Sequence, residues 1–352
     1  MGILPIKGQS SYFPPKMKSS SKVRFGIIGC SRIAKKAMLP AINDAELAEI
    51  GMIGSRSKER ALDYCKKFGC SSYGNYKDVL SNDEIDAVYI SLPVGMHEEW
   101  TIKAAESGKH VLCEKSSTTS LDSAKRMVEA CRKNGVRLLE GFMFRYHPQH
   151  KRVISLVKQG ALGDLLSFYG CFGFPFPDDN DPKLNKGLGG GSLNDSAAYA
   201  IYASRMIFEE EPLSVACRLK MDSKLGIDVK SDIFLAYANG KAAFISSAFG
   251  AYFQSTYSIW GSKSHLRVKR AYAVPKDMNT SIFLDADDKI SEIIVEPEDH
   301  FRLMVDDFCR EILNKGKNKK NFESDLLNQA RVLEAARLSN REGRIVKISE
   351  LP

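Results

Sequence analysis

Glu114 and Lys115 place two opposite charges directly after the apolar run HVLC, which predicts a buried strand. A lysine at the end of a strand can donate a hydrogen bond to a ligand oxygen and stabilise negative charge that develops on it. Ligands of open parallel sheets bind beyond the carboxyl ends of the strands. The alternative is a lysine in a solvated loop, but the position of Lys115 favours a side chain that points into a cleft.

A second pair of residues that could take part in catalysis, a carboxylate and a phenol, lies in GGGSLNDSAAYAIY, residues 189–202. Asp195 and Tyr199 are four residues apart, so a helix places them on one face. A phenol can donate or accept a proton at a reacting oxygen. The alternative for Tyr199 is a core aromatic residue, since Tyr202 lies on the same segment. The spacing shows only that the two side chains share one face of the helix, where they could belong to one site.

The segment FGIIGCSRIA, residues 25–34, joins the first apolar run to the first helical pattern. It fits the dinucleotide fingerprint Gly-x-Gly-x-x-Gly/Ala at Gly29 and Ala34, but Ser31 replaces the middle glycine. A tight strand-to-helix turn is the alternative. The loop opens the first strand–helix unit, where N–H groups at a helix start bind phosphate, and this favours cofactor binding. The predicted cofactor contacts in this loop are Gly29, Cys30, Ser31, Arg32 and Ile33.

The end of the second apolar run indicates which cofactor binds. NAD-binding proteins usually carry an acid there, which accepts from the ribose 2′-hydroxyl. This chain has Gly54-Ser55-Arg56-Ser57-Lys58 instead. Ser55, Arg56 and Lys58 can bind a 2′-phosphate through charge-assisted hydrogen bonds, while Ser57 is also a suitable N-cap for the next helix. The sequence therefore favours NADP(H) over NAD(H).

The elements that position these residues alternate between apolar runs and helical patterns over the first 145 residues. The runs are continuously apolar, as strands covered on both faces must be. This alternation predicts an α/β Rossmann domain with a doubly wound parallel sheet. Its strands are predicted at 23–29, 48–55, 86–93, 109–115 and 136–144.

After Pro148 the pattern changes to runs with strand character and few helices. Asn239-Gly240 is a strong hairpin signal between two of these runs. A long helical pattern spans about Asn194 to Phe208, and two more follow near the C-terminus at 299–315 and 323–342. We expect an α+β domain with a large, open-faced, mostly antiparallel sheet. The predicted division is a flexible N-terminal arm at 1–21, a cofactor-binding domain at 22–145 and a substrate-binding and oligomerisation domain at 146–352.

Composition excludes several classes of protein. The chain has 352 residues, 43% hydrophobic and 27% charged, as expected for a globular protein of two domains. No run approaches the roughly 18 apolar residues of a membrane span, and no secretory signal precedes the first strand, so a cytoplasmic location is expected. Eight cysteines form no CxxC pair, which argues against a metal site. The net charge of +8 is scattered, and the run from Lys315 to Lys320 predicts a solvated connection rather than a nucleic-acid patch.

Together these motifs resemble the family of glucose–fructose oxidoreductase, inositol dehydrogenase and MocA. The resemblance runs from about Lys22 over nearly the whole chain and depends on the Gly29 loop with four further segments: SLPVGMHEEW (91–100), CEK (113–115), FMFRYHP (142–148) and GGGSLNDSAAY (189–199). It implies a Rossmann domain followed by an α/β domain whose open sheet face forms a homodimer or homotetramer.

The resemblance also implies the roles of individual residues. Lys115 corresponds to the lysine of a Glu-Lys-Pro motif beside the nicotinamide, but Ser116 replaces the proline here, so whether the turn is cis or trans stays open. Tyr199 takes the place of the proton donor. The further cofactor contacts that the resemblance implies are Leu92, Pro93, His97, Glu114 and Arg145.

The expected reaction is reversible hydride transfer between NADP(H) and an alcohol or ketone of a sugar, a nucleotide-linked sugar or a cyclic polyol, with keto-sugar reduction favoured. Lys115 would bind the substrate oxygen and lower the pKa of Tyr199, and Asp195 would orient the substrate or Lys115. A trans-dihydrodiol or D-xylose dehydrogenase fits the same motifs. A non-catalytic cofactor-binding regulator is the alternative of another class.

Overall fold

The computed structural model describes residues 22–314 and 320–352. The predicted arm at 1–21 and most of the basic run after Lys315 lie outside these residues. The first domain contains a six-stranded parallel sheet in the order β3-β2-β1-β4-β5-β6. Its strands are β1 (Val23–Ile28), β2 (Ala48–Gly54), β3 (Tyr73–Gly74), β4 (Ala87–Ile90), β5 (His110–Cys113) and β6 (Leu138–Glu140). The predicted doubly wound sheet is confirmed.

Helices connect the strands and cover both faces of this sheet. Ser57 caps the helix after β2 by accepting from the N–H of Arg60, and Gly69 ends that helix with a φ of 71°. The helical segment after β1 spans 32–44 and is π-helical over Ala34–Met38. The α-helices are α1 (Leu39–Asp44), α2 (Lys58–Phe68), α3 (Tyr76–Ser81), α4 (His97–Glu106) and α5 (Leu121–Lys133).

The second domain contains a nine-stranded sheet in the order β14-β13-β12-β11-β7-β10-β9-β8-β15. Among the described strands of this second sheet, only β7 and β10 pair in parallel, and the other neighbours are antiparallel, as predicted. Asn239 and Gly240 both have positive φ and connect β9 to β10. The strands are β7 (Leu165–Phe174), β8 (Ser214–Met221), β9 (Asp228–Ala236), β10 (Ala242–Phe249), β11 (Gln254–Gly261), β12 (His265–Val268), β13 (Thr280–Ala286), β14 (Lys289–Val295) and β15 (Val346–Lys347).

Helices of the second half pack on one face of the nine-stranded sheet and also return to the first domain. They are α6 (Pro148–Lys158), α7 (Ala198–Phe208), α8 (His300–Leu313) and α9 (Phe322–Glu342). The ring of Phe308 on α8 packs against Phe25 on β1, with 6.5 Å between centroids. The N–H of Leu47 also donates to Asp306 on α8 at 3.2 Å. The two domains therefore share one continuous hydrophobic core.

The opposite face of the nine-stranded sheet is open, as predicted. Alternate side chains of its central strands point away from the core, and three aromatic residues among them, Tyr169, Phe244 and Trp260, are 42–52% exposed. A shallow cavity of about 1210 Å³ lies over this face. Within residues 22–314 and 320–352, no helix is long and apolar enough to cross a membrane.

The structure corrects several predicted boundaries. The strands predicted at 86–93 and 109–115 end at Ile90 and Cys113, because the following residues turn away from the ladder into the cleft. Short strands β3 and β15 carry too few residues to give a periodic signal, and β14 was missed because its apolar residues are partly or largely exposed. The helix predicted from about Asn194 begins as a π-helical turn, Leu193–Ala197, before it continues as α7.

Candidate active site

A cleft of about 780 Å³ separates the carboxyl ends of β1, β4 and β5 from the second domain. Ten of the residues that the sequence singled out line this cleft. They are Ser31, Arg32, Ile33, Leu92, Pro93, His97, Glu114, Lys115, Asp195 and Tyr199. The larger cavity on the open sheet face contains none of them, so the chemistry predicted from the sequence converges on the smaller cavity.

Lys115 is fixed against Asp195 from the second domain. Its Nζ donates to the carboxylate Oδ1 of Asp195 at 2.9 Å and to the carbonyl oxygen of the same residue at 2.7 Å. Both side chains are mostly buried, with 12% and 15% of their surfaces exposed. The peptide bond between Lys115 and Ser116 is cis. Residues 80 positions apart in the chain thus form one ion pair at the cleft floor.

Asp195 lies between two lysines. Its Oδ1 accepts from Lys115, and its Oδ2 lies 3.3 Å from Nζ of Lys183. Burial tends to raise the pKa of Asp195, but the two ammonium groups outweigh burial and lower it. Asp195 is therefore a carboxylate at neutral pH and holds Lys115 in place. Sequence reasoning missed Lys183, which has no spacing relationship to the other members of the site.

Tyr199 lines the cleft and is 6% exposed. Its hydroxyl donates to the sulfur of Met143 at 3.7 Å, which is a weak acceptor. Burial raises its pKa well above the usual value, and the nearby carboxylates of Glu114 and Asp195 raise it further. The expectation that Lys115 lowers the pKa of Tyr199 is thus wrong, because the ammonium lies over the ring face and not at the hydroxyl. The phenol stays protonated at neutral pH.

Glu114 and His97 support the turn that carries Lys115. Glu114 accepts from the hydroxyl of Tyr89 at 2.6 Å, and burial raises its pKa. The two ring nitrogens of His97 lie 2.7 Å from the carbonyl oxygen of Leu92 and 3.1 Å from that of Ser116. Burial lowers the pKa of His97 to about 4, so the neutral ring donates to one carbonyl at a time. His97 therefore fixes the backbone and carries no positive charge at neutral pH.

The loop after β1 is suited to a diphosphate. Gly29 has a φ of +106°, and a side chain there would meet Leu92 at 2.8 Å. The hydroxyl of Tyr64 donates to the carbonyl oxygens of Cys30 and Ser31 at 3.2 and 3.1 Å, which fixes the loop. The Ser31 hydroxyl accepts from the N–H of Ala34 and caps the helical segment. The first N–H groups of a helix have no acceptor within it, so they are available to an anion.

The residues predicted at the end of β2 do not line the cleft themselves. Ser55 is buried and its hydroxyl accepts from the N–H of Ser57 at 3.2 Å, whereas Arg56 and Lys58 are exposed beside the cleft. Arg60, on the first turn of α2, and Lys36, on the helical segment after β1, do line it. Sequence reasoning missed both, although Arg60 follows Arg56 at helical spacing. The side of the cleft at β1 and β2 is therefore basic.

The structure places Arg145, a predicted cofactor contact, outside the residues that line the cleft. Its guanidinium does not line the cleft but pairs with Asp325 on α9 at 2.8 Å and with the hydroxyl of Tyr202 on α7. Asp325 also accepts from Arg205 at 3.0 Å. These buried charges tie α9 to α7 and to the segment after β6. Arg145 thus stabilises the junction of the two domains.

A crossing loop, residues 175–191, passes from β7 over the cleft. Asp181 of this loop pairs with Arg32 of the dinucleotide loop at 2.9 Å. Lys183 of the same loop pairs with Asp195 and lies over the ring of Phe174 at 5.0 Å. The crossing loop therefore contacts both the predicted cofactor site and the predicted catalytic residues. No group of metal-ligating side chains is present among the described residues, and the eight cysteines are all free thiols.

The sequence matches two family profiles in succession. Residues 23–142 match the oxidoreductase family with an NAD-binding Rossmann fold, designated GFO/IDH/MocA, and residues 150–267 match the GFO/IDH/MocA C-terminal domain. The two matches follow the two sheets seen in the structure.

Characterised relatives cover most of the chain. A dTDP-3,4-didehydro-2,6-dideoxy-alpha-D-glucose 3-reductase from Saccharopolyspora spinosa is 34% identical over 82% of this chain and 87% of its own. The NADP(+)-dependent D-xylose 1-dehydrogenase 2 of Haloferax volcanii is 31% identical over 92% of this chain and 99% of its own. A crystal structure of a 3-ketoreductase from Actinomadura kijaniata with NADP and TDP-benzene is 29% identical, covers 90% of this chain and 98% of that chain, and superposes with a TM-score of 0.87.

Proposed function

Because this chain belongs to the GFO/IDH/MocA family of oxidoreductases, we propose that it reduces a ketone of a sugar or nucleotide-linked sugar, with NADPH as the cofactor. The observation that carries the proposal is the cluster of Lys115, Asp195 and Tyr199 in one cleft at the carboxyl ends of the strands. Two donors and a carboxylate that fixes one of them suit a reacting carbonyl oxygen.

The cofactor fits the basic side of the cleft. The loop from Gly29 to Ile33 would hold the diphosphate at the start of the helical segment. Arg56, Lys58 and Arg60 follow the end of β2, where a 2′-phosphate would lie, and residues 54–58 contain no acid to accept from a 2′-hydroxyl. NADPH supplies the hydride when it is bound. Relatives that use NADP or were crystallised with it support this assignment.

Lys115 and Tyr199 would act on the substrate oxygen. Lys115 donates a hydrogen bond and stabilises the negative charge that develops on that oxygen as the hydride arrives at carbon. Tyr199 then gives up its hydroxyl proton, and the product is a secondary alcohol. The raised pKa of Tyr199 keeps the phenol protonated at neutral pH, which is the form that reduction requires.

Solved relatives support the same pair of residues. Structures of the Actinomadura kijaniata ketoreductase include a Lys→Ala variant and a Tyr→Phe variant. The two substituted positions in that enzyme have the same separation along the chain as Lys115 and Tyr199. The agreement favours equivalent roles for the two residues here.

Oxidation of a free sugar is the second candidate function. It is favoured by the identity to the D-xylose dehydrogenase, and a trans-1,2-dihydrobenzene-1,2-diol dehydrogenase from Xenopus laevis is also similar, with 28% identity over 70% of this chain. The same cleft serves both directions, since hydride transfer is reversible. The direction of turnover distinguishes the two candidates.

Turnover with purified protein tests the proposal. NADPH consumption at neutral pH is followed by absorbance with dTDP-linked and free 3- and 4-keto sugars, and NADP⁺ reduction is followed with D-xylose and a trans-dihydrodiol. We expect NADPH consumption with a keto-sugar, and loss of most of it in Lys115→Ala. NADP⁺ reduction alone would support the second candidate. Tight cofactor binding without turnover in either direction would contradict both and support a regulator.

A further inference from the structure

Two consecutive residues of the first domain bond to two consecutive carbonyl groups of the second. Lys115 donates to the carbonyl oxygen of Asp195 at 2.7 Å, and the hydroxyl of Ser116 donates to the carbonyl oxygen of Asn194 at 2.8 Å. Both carbonyls belong to the π-helical turn Leu193–Ala197 at the start of α7. Such turns are frequent at functional sites, because they change the direction of carbonyl groups.

Asn194 is itself fixed on two sides. Its Nδ2 donates to the carbonyl oxygen of Gly189 at 3.1 Å, and its Oδ1 accepts from Arg337 at 2.5 Å. Arg337 pairs with Glu334 on α9 at 3.2 Å. The carbonyl that receives the Ser116 hydroxyl therefore belongs to a residue held in place by α9 and by the crossing loop.

The Ser116 side chain is sealed from solvent, since the residue is 1% exposed. Its hydroxyl hydrogen bond is thus not exchanged for one with water. Its carbonyl oxygen lies 3.1 Å from a ring nitrogen of His97, so the backbone on this side is fixed as well. A proline, which relatives carry at this position by the resemblance described above, has no hydroxyl and makes no such bond. The hydrogen bond to the carbonyl oxygen of Asn194 therefore depends on a serine at position 116.

We propose that Ser116 is a positioning residue, whose hydroxyl fixes Lys115 for the reaction by bonding the turn after β5 to the turn before α7. The proposal rests on the proposed function of Lys115. A lysine side chain is long and flexible. The position of its ammonium group therefore depends on how firmly the backbone of the lysine is held. Displacement of a donor by about 1 Å can cost about 100-fold in rate. Without the hydroxyl, the two turns separate and Lys115 loses its alignment.

Ser117 provides a matched control, because it is also a buried serine of the same turn. It is 0% exposed, and its hydroxyl makes no hydrogen bond to the second domain in the part of the chain that the structure describes. Ser116→Ala and Ser117→Ala remove the same atom from neighbouring buried sites. We expect kcat to fall about 10- to 100-fold in Ser116→Ala, with KM and NADPH affinity nearly unchanged, and to stay close to the wild-type value in Ser117→Ala.

Two further variants separate positioning from packing. Ser116→Cys keeps the size of the side chain but replaces the hydroxyl by a weak donor, so it should lose kcat nearly as much as Ser116→Ala. If Ser116→Ala does not fold, the kcat of Ser116→Cys alone shows whether the hydroxyl positions Lys115. In a Lys115→Ala background, Ser116→Ala should leave the residual rate unchanged, because the residue acts only through the lysine.

Wild-type kcat in Ser116→Cys, equal losses in Ser116→Ala and Ser117→Ala, or a further loss in the Lys115→Ala background would overturn the proposal. Failure of the proposed function gives a different result, namely no turnover by the wild-type protein with any substrate. In that case a crystal structure of Ser116→Cys tests the positioning role of Ser116. If Lys115 still donates to Oδ1 and to the carbonyl oxygen of Asp195 in that structure, positioning by Ser116 is refuted. A displaced ammonium group would support it.

Discussion

The ammonium of Lys115 lies 4.7 Å from the centre of the Tyr199 ring, over its face and not beside its hydroxyl. A cation over an aromatic face is attracted to the ring, so the contact holds the two side chains together. It leaves the phenol hydroxyl with Met143 as a weak acceptor. The ammonium and the phenol hydroxyl therefore have different partners, and the hydroxyl can be removed without removing the ring that the ammonium contacts.

Tyr199→Phe removes the hydroxyl and keeps the ring that packs against Phe142, Phe172 and Tyr272. We expect kcat for keto-sugar reduction to fall by about 10²–10⁴-fold, the usual value of general acid–base catalysis. The melting temperature and NADPH affinity should not change, because the hydroxyl makes one weak bond to sulfur. Steady-state kinetics with fluorescence titration of NADPH checks this. A near-normal kcat would mean that Lys115, through water, supplies the proton.

Arg56→Ala should weaken NADP(H) binding and leave NAD(H) binding almost unchanged. The loss of one charge-assisted hydrogen bond to the 2′-phosphate is worth about 1.5–3 kcal/mol. Arg132→Ala is the control, since Arg132 is an exposed arginine in the last turn of α5, between β5 and β6, and does not follow β2. Isothermal titration with both cofactors measures the effect. Equal losses for NADP(H) and NAD(H) would show that Arg56 does not contact the phosphate.

Local patterns predicted residues that meet in one cleft, because each lies at a strand end or at helical spacing. Lys115 follows a run of apolar residues, and Asp195 and Tyr199 are one helical turn apart. Residues whose role depends on a distant partner were not predictable in this way. Arg145 pairs with Asp325, which lies 180 positions further along the chain. Lys183 pairs with Asp195 from a loop whose sequence has no periodicity. The raised pKa of Tyr199 likewise depends on burial that only the folded chain produces.

Buried histidines should make the protein unstable in acid. Burial lowers the pKa of His97, His110 and His147 to about 4 and that of His150 and His300 to about 3. In the unfolded chain they titrate at about 6.5. The unfolded state thus binds more protons below that pH, and the free energy of unfolding falls as the pH drops from about 6.5 towards 4.

Each histidine contributes at most about 1.4 kcal/mol per pH unit in this window. Glu140 acts in the opposite direction, because burial raises its pKa to about 7 and the folded state takes up a proton first. Five histidines outweigh this carboxyl. Urea denaturation between pH 7.5 and 4.5 measures the net effect, and a free energy of unfolding that is constant from pH 7 to 5 would contradict it.

The open face of the nine-stranded sheet predicts self-association, since large exposed apolar surfaces mark interfaces. We expect at least a dimer at micromolar concentration. Phe244→Asp, in the middle of this face, should shift the protein towards monomers, because it would bury a carboxylate without a partner. Tyr252→Asp is the control, since Tyr252 is 86% exposed and does not line the cavity over this face. Light scattering measures the mass, and a monomeric wild-type protein would refute the prediction.

Lys115→Ala and Tyr199→Phe should not act independently. Lys115→Ala removes the donor that the proposed function assigns to the substrate oxygen, and it also leaves Asp195 with Lys183 as its remaining lysine partner. We therefore expect a lower kcat together with somewhat weaker substrate binding, whereas Tyr199→Phe lowers kcat alone. The proposed function places both residues at the same oxygen, so the double variant should lose less than the product of the two single losses. Single-turnover rates with NADPH and a keto-sugar measure the three variants without interference from product release. Fully multiplicative losses would show that the ammonium and the phenol act in separate steps.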